Sequence, residues 1–414
     1  MVVREIAERA KKAQREISAA STDKKNKILM KIGEALLERR SEIIEENSKD
    51  VERAKQKGLS AALIDRLKLD EKRISAMVRS VEEVASLPDP IGQIVEMRRR
   101  PNGLLVGRMR IPLGVIGVIY EARPNVTIDI SALCIKSSNS VVLRGGSEAI
   151  NSNTILTKII REVISSEGIS PDIIGFIEDT SREMIHQMLK LDDILDLLIP
   201  RGGEELIRFV TENSRVPVLK HFKGVCHVFV DEYADIKKAI DISLNAKVQR
   251  PSVCNAMETL LVHKNIAEKF LPKMGDIYKE HRVEIRGCDI TRKYISWAKP
   301  ATEDDWYAEY LDLILAVRVV DNIDQAIEHI KKYGSSHTDA IVTENYTNAM
   351  KFIREVDSSS VMVNASTRFS DGYEYGLGAE VGISTTKLHA YGPMGLEGLT
   401  TLKWVVFGDG HVRT

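Results

Sequence analysis

The chain has 414 residues, with 59 Lys plus Arg against 60 Asp plus Glu, a net charge of −1. That length predicts two or three domains, and that balance speaks against a dedicated binder of nucleic acid or anionic membrane. No apolar run is long enough to span a bilayer, and the charged, periodic start MVVREIAERAKKAQREI lacks a signal-peptide core, so a cytoplasmic protein is expected.

From the start to about Ser86 the pattern is helical. Ile28, Ile32, Ala35 and Leu36 share one stripe, and Ser41 is placed to cap the next helix. The segment IVEMRRRPNGLLVGRMRIP then gives two extended runs around Asn102-Gly103, the signal of a hairpin with a type I′ turn. Its arginines (Arg98, Arg99, Arg100, Arg108, Arg110) read as a solvated or subunit-contacting ribbon on a chain with no net positive charge.

From Val115 to Val230 strands alternate with helices. The strands are VIGVIY, SVVLRG, DIIGFI, LDLLIP, PVLK and HVFVD; the helices lie near Ile128, after Ala149, around Met184 and from Glu204. This alternation indicates βαβ units and a doubly wound parallel sheet, which binds ligands at the carboxyl ends of its strands. There SVVLRGGSE and LLIPRGGEE each set glycines before a helix, although neither is G-x-G-x-x-G. A second α/β stretch follows from Ala234, with strands ETLLVH, DLILAVRVV, DAIVT and SVMVN and helices from Asn265, Asp324 and Tyr346. The tail LKWVVFGDG reads as a last strand, long enough to pair with another sheet or another subunit.

The four cysteines, Cys134, Cys226, Cys254 and Cys288, form no C-x-x-C pair, so neither a zinc site nor a disulfide framework is predicted. Cys134 and Cys226 fall in helix and strand patterns and read as core. Cys254 follows the turn QRPSV just ahead of a buried strand; packing alone makes it a small hydrophobe, and the alternative is a nucleophile where a loop meets rigid structure.

Taken together these pieces resemble the aldehyde dehydrogenase superfamily over nearly the whole chain. A P-L-G-V-x-G-V-I strand opens that superfamily's cofactor domain, and residues 112–119 read PLGVIGVI. Where the superfamily has a Lys-Pro-Ser-Glu turn beside the adenosine ribose, this chain has Arg144, Gly145, Gly146, Ser147 and Glu148. Cys254 stands after its Gln-containing turn as the catalytic cysteine does. Glu309, heading EYLDLILAV, matches the glutamate that holds the nicotinamide ribose, and Gly202 and Gly203 resemble the glycine turn nearby, with Ile207 where a later glycine is usual. The segment VDNIDQAIEHIKKYGSSHTDAI and the stretch GLGAEVGISTTKLHAYGPMGLEGLT resemble the branch that reduces an acyl phosphate of glutamate.

The resemblance implies an aldehyde-dehydrogenase-like α/β fold with two doubly wound parallel-sheet domains and a hairpin-and-tail oligomerisation element. Residues 1–90 and 112–230 would form the cofactor-binding domain, 231–394 the catalytic domain, and 91–111 with 395–414 the element through which a homo-oligomer forms. It also implies NADPH-dependent reduction of L-glutamate 5-phosphate to L-glutamate 5-semialdehyde and phosphate, through a cysteine thioester, in proline biosynthesis. Cys254 is then the nucleophile. The Cys254 backbone N–H and the Asn125 side chain are then the oxyanion donors, the other reading of Asn125 being a helix cap. The general-base glutamate of the hydrolytic members has no counterpart in Leu219, Lys220, His221, Phe222, Lys223, Gly224. Its absence suits a thioester that exchanges with phosphate rather than water.

Arg144 after the second strand favours NADP, because a guanidinium neutralises a 2′-phosphate that a carboxylate would repel. Lys220 and His221 are either phosphate contacts or a solvated turn. Arg123, Arg250, Ser366, Arg368 and His389 are candidates for the substrate's charged groups. Two other classes compete: a cysteine hydrolase pairing Cys254 with His221, and a non-enzymatic nucleotide-binding scaffold that uses the arginine hairpin as its contact.

Overall fold

The structure is a computed structural model and describes residues 2–220 and 222–413. Two compact units emerge: Met1–Lys220 with Gly376–Gly382 and Met394–Thr414, and His221–Tyr375 with Ile383–Pro393.

The first unit begins with five helices, α1 (Val2–Ala19), α2 (Thr22–Glu38), α3 (Arg40–Gln56), α4 (Ala61–Leu67) and α5 (Glu71–Ser86). Ile28, Ile32 and Leu36 are buried as their spacing requires, with Ala35 at the stripe's edge. Ser41 caps nothing. Helices α2 and α3 abut at Arg39, which ends one and starts the other, so Ser41 lies already inside the first turn of α3. Arg39 instead grips Glu42 and Glu162 through its guanidinium.

Strands β1 (Ile94–Arg99) and β2 (Leu105–Pro112) form the expected antiparallel hairpin, but its turn is of another type. In the loop only Gly103 has a positive φ, +96°; its N–H donates to Arg100 O at 2.9 Å, and the Arg100 N–H donates to Leu104 O at 2.8 Å. Pro101 fixes its own φ near −65°, which rules out a type I′ turn there and leaves one left-handed glycine after the turn.

A parallel sheet follows. Its members in chain order are β3 (Val115–Tyr120), α6 (Asn125–Lys136), β4 (Ser140–Gly145), α7 (Ile150–Ser166), β5 (Ile174–Phe176), α8 (Arg182–Met188), β6 (Leu197–Arg201) and α9 (Glu204–Asn213). The strand order is β5-β4-β3-β6, all parallel, and β3 and β4 are buried throughout because helices cover both faces. The order reverses at β3, so a crevice opens beyond the carboxyl ends of β3 and β6. The run PVLK contributes only an isolated bridge between Val218 and Leu198, with no strand.

The second unit holds seven strands: β7 (Cys226–Val230), β8 (Met257–His263), β9 (Glu284–Gly287), β10 (Lys299–Pro300), β11 (Ile314–Val320), β12 (Thr338–Val342) and β13 (Ser360–Val363). They form one parallel sheet in the order β10-β9-β11-β8-β7-β12-β13. Strand β7, which the alternation groups with the first stretch, is thus central here, between β8 and β12. Its helices include α10 (Ile236–Val248), α11 (Lys264–Glu280), α12 (Asp289–Tyr294), α13 (Glu303–Trp306), α14 (Ile323–Tyr333) and α15 (Tyr346–Glu355). Val228, Leu260, Val262, Phe270, Leu271, Met274 and Val317 form the core between the sheet and α10 and α11.

The tail strand Thr400–Phe407 returns to the first unit and pairs antiparallel with β2, making a three-stranded sheet with β1. Among the described residues no helix is long and apolar enough to cross a membrane.

Candidate active site

In the first unit a cavity of about 690 Å³ opens beyond the carboxyl ends of the parallel strands, within the range of ligand pockets. Its lining includes Arg144, Gly146, Ser147, Glu148, Arg182, His186, Gly203 and Phe209. Four of the cofactor candidates, Arg144, Ser147, Glu148 and Gly203, therefore meet around one space. The glycines matter sterically: a Cβ on Gly146 would stand 2.2 Å from Glu148 Oε1, and one on Gly202 2.3 Å from Glu121 Oε2. Glu148 accepts the Ala122 N–H at 2.6 Å, and Glu121 accepts the Gly203 N–H at 3.1 Å, so these carboxylates fix the loops after β3 and β6. Burial holds the Arg144 guanidinium below its usual range, with Glu148, Asp179 and Glu121 opposing that shift. It donates to the backbone carbonyls of Thr180 and Ser181, the latter at 3.3 Å. Arg182 joins it at the cavity wall, a second cation that no strand-end motif announces. His186 meets Phe209 edge-on with ring centroids 5.1 Å apart, so two aromatic rings contribute to the cavity wall. The chemistry of this lining fits a dinucleotide.

Asn125 is the first residue of α6 and caps nothing; its Nδ2 donates to Asp129 Oδ2 at 2.9 Å. Burial raises the Asp129 carboxyl, which also accepts from Ser80 Oγ at 3.0 Å. An amide nitrogen has two hydrogens, so Asn125 keeps one for another acceptor. Arg123 is exposed and Lys220 half-buried, and His221 lies outside the described residues.

In the second unit Cys254 is half-exposed in the loop that leads into β8, at the amino ends of the central strands. Two neighbours grip its carbonyl. Gly224 packs so closely that a Cβ would stand 1.9 Å from the Cys254 oxygen, and Cys226 Sγ donates to that oxygen at 3.2 Å. Burial pushes the Cys226 thiol well up, with Asp339 adding to the shift, so it stays protonated as a donor. Cys134 is buried, and burial raises its thiol too. Cys288 is half-exposed beside Thr291 Oγ1 at 3.3 Å.

Around that loop stand several of the remaining candidates. Arg368 donates to Gln249 Oε1 at 2.8 Å and to the Asn255 side-chain oxygen; burial lowers its guanidinium, and Arg250 lowers it further. Ser366 is buried and accepts the Arg368 N–H at 3.3 Å, the work of a turn cap. Glu309 Oε1 accepts the Gly224 N–H at 2.8 Å, so the loop before β11 reaches the same neighbourhood. His389 is exposed, with φ +80°.

Sequence reasoning passed over Gly224, Cys226, Asn255 and the buried pair of Lys247 Nζ with Glu258 Oε2, 2.6 Å apart. Burial pushes the Glu258 carboxyl up to about 7 and lowers the Lys247 ammonium. The signal for this pair was available in METLLVH, where a carboxylate stands inside a fully buried strand.

A half-exposed thiol on a gripped loop, in a chain that also carries a dinucleotide-sized cavity on a parallel sheet, defines a class. Residues 1–287 match the aldehyde dehydrogenase family, and the chain belongs to that family. Within it, the chain is 59% identical to the gamma-glutamyl phosphate reductase of Thermodesulfovibrio yellowstonii over 407 residues, covering 98% of this chain and 97% of the relative. A crystal structure of gamma-glutamyl phosphate reductase from Thermotoga maritima superposes with a TM-score of 0.97 at 50% identity over 100% of both chains. An engineered glycolyl-CoA reductase with bound NADP+ shares the fold at a TM-score of 0.70 and 16% identity, covering 98% of this chain and 96% of that one.

Proposed function

We infer that this chain is an oxidoreductase that reduces L-glutamate 5-phosphate to L-glutamate 5-semialdehyde with release of phosphate, a step of proline biosynthesis. The observation that carries the mechanism is the half-exposed Cys254 thiol, on a loop gripped by Gly224 and Cys226 and bracketed by the Arg368 side chain.

The Cys254 thiolate attacks the acyl carbon; the C–S bond forms as the C–O bond breaks, and phosphate leaves with the electron pair. Negative charge on the carbonyl oxygen is met by the Cys254 N–H. A reduced nicotinamide dinucleotide, when bound, supplies the hydride equivalent for the thioester. The resulting thiohemiacetal then collapses, freeing the aldehyde and restoring the Cys254 thiolate.

Arg144, Ser147, Glu148, Gly202 and Gly203 would hold the dinucleotide in the first unit. The cofactor is NADP: Arg144 and Arg182 both line the cavity and offer charge to a 2′-phosphate. Arg250, His221 and His389 serve the substrate's phosphate and amino-acid head, whereas Arg368 and Ser366 are engaged by the cysteine loop and the turn beside it. The protein acts in the cytoplasm as a homo-oligomer.

The test runs the reaction backwards. NADP reduction by glutamate 5-semialdehyde should require phosphate and vanish in Cys254→Ala, while nucleotide binding persists. Phosphate-independent turnover, or turnover in Cys254→Ala, would exclude this mechanism.

A further inference from the structure

Arg368 sits in the short turn Thr367–Phe369 that follows β13 in the second unit. Its side chain reaches back to the cysteine loop at two points. Nε donates to Gln249 Oε1 at 2.8 Å, and Nη1 donates to the side-chain oxygen of Asn255. Gln249 closes α10 and Asn255 directly follows Cys254, so the two acceptors bracket the loop. Asn255 Nδ2 returns a hydrogen bond to Ser370 O at 2.8 Å, which joins turn and loop in both directions.

Both acceptors are neutral amides. The guanidinium is therefore fixed without a carboxylate directly cancelling its charge at those two bonds, and Cys254 lies within its electrostatic reach. Arg250, Asp371 and Cys226 are the other titratable groups facing it. A planar fork of five donors can hold two amides at once, whereas a lysine ammonium offers one point on a flexible stem.

Resting on Cys254 as the nucleophile, we propose that Arg368 is a positioning residue: it staples both ends of the loop 249–255. This differs from binding the substrate's head group. Stapling fixes the reaching angle of the sulfur.

The experiment is alkylation of Cys254 by iodoacetamide at one pH, read by mass spectrometry without nucleotide or substrate, beside steady-state kinetics. Arg368→Gln should change the alkylation rate at least ~3-fold and lower kcat at least ~10-fold with KM for the glutamyl substrate nearly unchanged. Arg368→Lys should lose kcat as well, because charge survives and the fork does not. Asn255→Ala, which removes one acceptor and leaves the arginine, should reproduce the kcat loss and serves where Arg368→Gln does not fold. An unchanged kcat in folded Arg368→Gln, or a rise in KM alone, overturns the proposal. Should the parent enzyme fail to reduce the glutamyl substrate while the alkylation rate changes as stated, the assigned reaction falls and the staple stands.

Discussion

Gly224 is fixed by the space its neighbour takes rather than by an unusual φ. A Cβ there would stand 1.9 Å from the Cys254 oxygen and 2.6 Å from its carbonyl carbon, and both are backbone atoms that cannot swing aside. Gly224→Ala must then push the cysteine loop outward. A displacement on the order of 1 Å costs a nucleophile roughly 100-fold in rate, so kcat should fall by about that factor while nucleotide affinity in the first unit stays as it was. Comparing kcat with a nucleotide dissociation constant in the same preparation checks both halves. In the first unit Glu167 is a second residue whose neighbours dictate its behaviour. Lys31, Lys24 and Lys27 approach its carboxylate at 2.6, 3.0 and 3.1 Å, and their hydrogen bonds pull its pKa down from 4.5 to about 2. Because the folded value lies below the unfolded one, its stabilisation is complete above about pH 4.5 and is lost as pH falls through about 2. Urea midpoints measured between those pH values should decline less steeply in Glu167→Gln, and an unaltered acid slope would show that the three lysines do not act through this group.

Helix α7 illustrates how one element completes another. Its first turn has no side-chain cap of its own, and the missing acceptor comes from Asp50 on α3. That carboxylate accepts from the Ser152 N–H at 2.8 Å, Ser152 Oγ at 2.7 Å and Asn151 Nδ2 at 2.9 Å. Burial raises its pKa, so the carboxylate depends on these donors. Asp50→Ala leaves them unpaired and should destabilise the first unit by about 2–3 kcal/mol in urea unfolding, with β-sheet content unchanged. No periodicity could announce this joint, since α4, α5, α6 and the four strands β1 to β4 lie between Asp50 and Ser152 in the chain. The elements themselves were easier to read. VIGVIY and ETLLVH declare strands because helices cover both faces, which buries every position and makes most of them apolar. Glu284–Gly287 and Lys299–Pro300 escaped notice for the opposite reason: they are short and partly exposed at the edge of the seven-stranded sheet, so no apolar run marks them. The site divides along the same line. Cys254, Arg144 and Glu148 stand in contiguous motifs that a sequence displays. The Gly224–Cys254 packing and the Arg368–Asn255 bond join segments far apart in the chain, and only the parallel sheet brings them together.

At the scale of the whole molecule, a near-neutral chain has little charge repulsion to oppose self-association, and one of its surfaces invites it. The sheet of β1, β2 and the tail strand ends in two unpaired edges. Trp404, Val406 and Phe407 are 65%, 56% and 54% exposed on one edge strand, and Ile94 and Val95 are exposed on the other. Apolar side chains of this size gathered on edge strands mark a surface that another chain covers, because an open edge pairs readily with a second strand. The arginines of the hairpin are tied locally: Arg110 to Thr400 Oγ1 at 2.9 Å and Glu397 at 2.9 Å, and Arg108 over the Trp404 ring at 5.4 Å. They brace the sheet, which leaves the apolar edge as the surface that a second copy is expected to cover. The protein should therefore sediment as a homo-oligomer, and the double change Trp404→Glu, Val406→Lys should shift it to the mass of one chain, since both positions are exposed and the change removes no core contact. Light scattering after size exclusion measures this directly. A parent protein that is already monomeric, or a double variant that keeps the parent's mass, would assign the exposed edge some other occupant.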